Sequence, residues 1–176
     1  MRALTDVDRI RRLMEALAQA SEATCRVYFT GGVSAVLLGW RSTTVDVDLK
    51  LVPDSDDLLR AIPILKEKLS LNIELASPDQ FIPELPGWRE RSVFIEQFRR
   101  LSFFHYDFYS QALSKLERGH VKDLLDAEEM LRRGLIERGE LRRLFSVIEL
   151  DLYRYPALDP HSFRDAVEEF VASPSP

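Results

Sequence analysis

The spacing of apolar positions predicts helices at both ends of the chain and short strands between them. Ile10, Leu13, Met14, Leu17 and Ala18 recur at helical spacing behind Thr5, Asp6 and Asp8, an acidic, capped helix start ending near Ser21. A short apolar strand from Val27 to Phe29 follows, then the Gly31-Gly32 turn, a small helix from Ser34 to Leu38 and a stop at Gly39. From Val45 to Val52 the pattern becomes strict alternation. Val45, Val47, Leu49 and Leu51 take one face, and Asp46, Asp48 and Lys50 the other. After Pro53, Ser55 or Asp56 caps a helix reaching about Leu69, in which Pro63 predicts a kink or a late start. Leu71 to Ala76 alternates again, with Asn72 and Glu74 on the polar face. A helix between two such strands predicts a crossover that places both in one sheet.

Ser77 to Trp88 is Pro-rich and aperiodic, too long for a simple connection. Its Phe81 and Trp88 either wall a pocket or pin the loop to the domain, pinning being the commoner use. Ser92 to Tyr106 reads as a hairpin, turning between Gln97 and Arg100. Asp107 caps a helix from Phe108 to Arg118 ended by Gly119, and a second helix runs from Val121 to Arg133 before Gly134. A third spans Glu137 to Tyr153, and Asp159-Pro160 opens a last one through Val171. The expected fold is α+β: a small mixed β-sheet with the glycine turn at its edge, helices packed behind it and a C-terminal helical bundle. Residues 1–106 form the expected core, 107–172 the helical region, and 173–176 a disordered tail.

At 176 residues the chain can bury a real core. Its net charge of -5 argues against broad affinity for nucleic acid, and its Arg residues are scattered rather than grouped with aromatics. The single cysteine, Cys25, rules out an internal disulfide and Cys-rich zinc sites and reads as a small buried residue. His105, among aromatics and without metal partners at useful spacing, reads as structural. The longest apolar runs are too short to cross a membrane, so the expected location is the cytoplasm.

Two Asp residues at i and i+2 of a strand ask for a reason, because Asp is depleted in strands. Their side chains stand about 6.5–7 Å apart on one face, and such a pair can share two divalent ions, which sit roughly 3.5–4 Å apart in two-metal sites. The glycine turn supplies the complement. Gly31 and Gly32 let a ligand approach the backbone, and the helix start with the Ser34 hydroxyl offers donors to a phosphate. Transfer from a nucleoside triphosphate requires both halves.

The string G-G-V-S at 31–34, with thirteen residues between Gly32 and Asp46 and then D-V-D, carries a resemblance. It looks like the signature of the DNA polymerase beta-like nucleotidyltransferase superfamily, nearest to the small bacterial branch of abortive-infection toxin nucleotidyltransferases. The resemblance implies two Mg2+ (or Mn2+) ions, bound with the triphosphate on Asp46 and Asp48, and nucleotide contacts from Gly31, Gly32 and Ser34. Arg41 and Thr44 match the family's Arg and Thr near the first metal carboxylate; Arg41 is a phosphate contact or a surface Arg. The family's third carboxylate lies on a later strand, and I-E-L at 73–75 fits. Glu74 is then either the third metal ligand, helping to deprotonate the acceptor, or an ordinary Glu on an edge strand.

The segment Q-A-L-S-K-L-E-R-G-H-V-K-D-L-L-D-A, residues 111–127, is similar to the branch's second recognisable run. By that likeness Lys115 reaches the triphosphate, and Asp123 or Asp126 orients it. The family's Arg before the first Asp is Lys122 here. The plain alternative is a solvated helix face with i,i+4 pairs. The implied activity is transfer of a nucleoside monophosphate to an acceptor (tRNA, protein or small molecule) with release of pyrophosphate. An antitoxin partner or a homodimer, and no membrane, would accompany it. The alternative is a degenerate member that binds nucleotide or serves as an interaction module.

Overall fold

The computed structural model describes residues 4–174. The strands are β1 Cys25–Thr30, β2 Asp46–Val52, β3 Asn72–Leu75, β4 Val93–Phe98 and β5 Leu101–His105. They form one mixed sheet in the order β3-β2-β1-β5-β4. The helices are α1 Val7–Ala20, α2 Gly32–Leu37, α3 Asp56–Lys68, α4 Trp88–Arg91, α5 Phe108–Arg118, α6 Val121–Arg132, α7 Arg138–Ile148 and α8 Pro160–Ala172. The protein is thus α+β, as expected. Two compact units divide it, one of Met1–Ser77 with Ser92–Tyr106, the other of Pro78–Arg91 with Asp107–Pro176.

The first unit is the sheet and its helices. β1 takes β2 antiparallel on one side and β5 parallel on the other. The glycine turn therefore ends the middle strand and does not stand at the sheet's edge. The crossover through α3 lays β3 parallel to β2, as the alternating strands predict. Val27, Phe29, Val47, Leu49, Ile73, Leu101 and Phe103 face α1 and α3, whose Ile10, Leu13, Leu17, Leu58 and Leu65 complete one apolar core. Asp46, Asp48, Lys50, Asn72 and Glu74, out of phase with those residues, take the other face. Cys25 is buried, as read.

Local chemistry shifts several boundaries. Asp6 caps α1, accepting from Arg9 N at 3.0 Å, and Thr5 before it is held in a bridge to Thr44. Ser55 caps α3, which starts on time and runs through Pro63; that residue lies on the exposed side. The hairpin turn tightens to Arg99-Arg100, with Arg99 at φ 52°, and the ladder is irregular at Ile95. The helix expected over 137–153 ends at Ile148 and continues as a 3-10 segment, Glu149–Arg154.

The second unit packs α7 and α8 on α5, with Phe145 and Phe163 edge-to-face at 4.9 Å between centroids. The Pro-rich stretch contributes a 3-10 turn, Pro78–Gln80, and belongs to this unit. Trp88 is buried and pins it, whereas Phe81 is exposed. Of the tail expected over 173–176, residues 175–176 lie outside the described residues.

Asp107, completely buried, opens α5. It accepts from Tyr109 N and Ser110 N, both at 3.3 Å, and from Ser110 Oγ at 2.7 Å. Arg91 donates to it through Nε at 3.1 Å and Nη2 at 2.8 Å. Asp107→Ala strands Arg91 and uncaps the helix, so it should lower unfolding free energy in urea by about 3–5 kcal/mol. Asp107→Asn, whose amide oxygen still caps, should lose clearly less.

Candidate active site

The site is assembled where β1 runs into its turn. Thr30, the last residue of β1, lies in register opposite Asp48. Gly31 then takes φ 63° and ψ -131°, a conformation that L side chains rarely adopt. A Cβ there would stand 3.1 Å from Asp48 Oδ2. A Cβ on Gly32 would overlap Thr44 Oγ1 and stand 2.8 Å from Thr44 Cβ. Gly32 is therefore required by the packed Thr44 side chain, and Gly31 by its positive φ, with the Asp48 carboxylate closing on the turn beside it.

Thr44 is buried and acts as a strut. Its hydroxyl donates to the Asp46 carbonyl at 3.1 Å, and its backbone exchanges hydrogen bonds with Thr5 at 2.8 and 2.9 Å. Packing against Gly32 and the entry into β2 account for this placement. Arg41 is half-buried just beyond α2, and its N–H donates to the Ala35 carbonyl at 3.2 Å.

Asp46 and Asp48 are half-buried on one face of β2. Asp48 lies in register with Glu74, and Asp46 with Asn72. The Asn72 amide donates to Asp46 Oδ1 at 2.5 Å and to Glu74 Oε1 at 3.0 Å. It joins the two carboxylates through one neutral donor. Asn72 is the residue that sequence reasoning missed; its only signal is its place two residues before Glu74 on the polar face of an alternating strand. Among the described residues no group of three or more His, Cys, Asp or Glu side chains is arranged to hold a metal ion. The donor chemistry of Asp46 and Asp48 nonetheless suits magnesium, which is usually bound through one or two carboxylates together with substrate phosphates.

Ser34, read as a phosphate contact, is completely buried, and its Oγ lies 2.9 Å from His105 Nδ1. The cause is helix phase: α2 begins at Gly32, which turns Ser34 inward rather than leaving it at the mouth of the turn. His105, structural as expected, has its pKa lowered by burial from 6.5 to about 4.

In the second unit Lys115, Asp123 and Asp126 are brought together. Lys115 Nζ donates to Asp126 Oδ2 at 2.7 Å and Asp123 Oδ1 at 3.2 Å, and all three side chains are buried. Arg118 Nη2 also meets Asp123, at 2.8 Å. The solvated-face alternative fails here, because α6 turns its aspartates inward while Val121 and Leu125 are exposed.

Comparison with family models, curated proteins and solved structures finds no match for this chain.

The buried His105 makes stability depend on pH. Its native pKa lies below the ordinary value, so the unfolded chain takes up the proton first as pH falls. This contribution is complete above about pH 6.5, declines below it, and is gone once the pH has passed through about 4. Between pH 7.5 and 5, urea unfolding of the protein should lose about 2 kcal/mol from this group. His105→Gln, which does not titrate, should lose that much less over the same interval; equal losses would refute the assignment.

Proposed function

We propose that this protein is a metal-dependent nucleotidyltransferase that transfers a nucleoside monophosphate from a triphosphate to an acceptor hydroxyl. The observation that carries the reading is the closure of a β-strand carboxylate pair on a double-glycine turn. Asp46 and Asp48 share a face of β2, Asp48 Oδ2 lies against Gly31, and Glu74 stands in register beside Asp48. The sequence string resembling the DNA polymerase beta-like superfamily adds to it.

Asp46 and Asp48 would hold Mg2+ (or Mn2+) bound with the triphosphate, and the metal would supply neutralisation of the charge developing at the α-phosphate. Glu74, exposed beside Asp48, takes the proton of the acceptor hydroxyl. The hydroxyl oxygen forms a bond to the α-phosphorus, the bridging bond to the β-phosphate breaks, and pyrophosphate leaves. Gly31, with no side chain, keeps the mouth of the turn open beside Asp48. Lys115 belongs to this reading only as the phosphate-binding residue that the resemblance implies, with Asp123 and Asp126 as its orienting partners.

A second reading has its own observation. The Asn72 amide engages both Asp46 and Glu74, an arrangement that suits a degenerate member which binds nucleotide without transferring it. One experiment separates the two: the protein is incubated with magnesium, each α-labelled triphosphate and cell extract as the acceptor source. The enzyme should transfer label, and Asp46→Ala/Asp48→Ala, checked for folding by circular dichroism, should lose about a hundredfold or more. Nucleotide retained in equilibrium dialysis without label transfer would establish the binding-only reading. Label transfer undiminished in the double variant would place the activity elsewhere.

A further inference from the structure

A separate concavity lies on the helix-covered side of the first unit, away from the strand face that carries Asp46 and Asp48. It has a volume of about 350 Å³ and is lined by Arg9 and Arg12 of α1, by Lys68 at the end of α3, and by Leu69 and Leu71. That volume is near the lower end of small-molecule sites. Three of the five lining residues are cationic and none is acidic.

The cations differ in what they do. Arg9 is fixed by the backbone: Nη2 donates to the Leu69 carbonyl at 2.5 Å and the Ser70 carbonyl at 3.1 Å, and Nη1 to the Leu4 carbonyl at 3.1 Å. Ser70, at φ 51°, forms the turn that aims those carbonyls at Arg9. Arg9 thereby caps the carbonyl end of α3 and accounts for its own presence. Arg12 and Lys68 are not needed for that task. Both are exposed, and neither has a carboxylate within ion-pair distance among the described residues. Two exposed cations thus line a concavity that also holds the immobilised Arg9 guanidinium. With no carboxylate among its lining residues, the concavity carries a positive potential that favours an anion. Leu69, half-buried, and Leu71, fully buried beneath, give the concavity an apolar floor.

We infer that this concavity is a binding site for a small organic anion, its carboxylate or phosphate head between Arg12 and Lys68 and its apolar body over Leu69. An inorganic ion satisfies the cations but leaves the floor wet, so the head group alone binds more weakly than a head with a short chain. The site is independent of the nucleotidyltransferase reading, since it uses neither β2 nor the glycine turn.

The test uses the full-length, isotope-labelled protein titrated with inorganic phosphate, hexanoate and hexyl phosphate, following the amide and methyl resonances of Leu69 and Leu71. Hexanoate or hexyl phosphate should shift them saturably, the tighter of the two naming the head group, and inorganic phosphate should bind more weakly. Arg12→Ala/Lys68→Ala, both exposed positions, should weaken binding by about tenfold or more. Absence of a saturable shift with all three probes, or unchanged affinity in the double variant, overturns the proposal.

Discussion

Everything at the carboxylate site depends on two side chains that are missing. Backbone and side chains crowd together at the end of β1, where glycine suits the positive φ at 31 and the space left at 32. The Asp48 carboxylate comes to 3.1 Å from where a Gly31 side chain would begin, and Thr44 fills the volume that one on Gly32 would need. Thr44 in turn holds the Asp46 carbonyl and ties the start of β2 to Thr5. The turn, the loop and the carboxylate strand are thus packed against one another, with Asp48 beside the turn.

Around them, polar groups inside the protein are satisfied by each other. Ser34 and His105 close a buried pair in the first unit, and burial keeps the imidazole neutral near pH 7. In the second unit, Lys115 sits between two aspartates, an arrangement in which removal of the lysine leaves buried carboxylate charge uncompensated. Asp107 does similar work at the start of α5, where two backbone donors, a hydroxyl and a guanidinium converge on one carboxylate. Such groups make a fold specific more than they make it stable, because each tolerates only one arrangement of its neighbours. Asn72 belongs to the same class, although it works at the surface of the sheet: a neutral amide holds two carboxylates, Asp46 and Glu74, in place.

Much of the architecture was legible in local pattern. The alternation of β2 is a period-two signal with no helical competitor, so its faces came out correctly from Asp46 to Val52, whereas Val45, expected on the apolar face, precedes the strand and is exposed. The crossover to β3 followed from chain connectivity. Asp107, Gly119 and Asp159-Pro160 announced helix ends because cap chemistry is local. Boundaries failed where tertiary packing intervened: α2 started two residues early, turning Ser34 inward to His105. Pro63 did not delay α3, because a proline on the solvent side sacrifices one backbone bond while Leu58, Ile62 and Leu65 still anchor the helix in the core.

The sequence by itself determined the fold class, the faces of the strands and the pairing of carboxylate strand with glycine turn, because each rests on periodicity or on chemistry within a few residues. Only the tertiary structure decided what those residues meet. That Gly32 accommodates Thr44, that Ser34 answers His105 from 71 positions away, and that Asn72 joins Asp46 to Glu74 across strands are facts of through-space packing. No spacing along the chain encodes them, since the partners are set by the order of strands in the sheet and by helix phase.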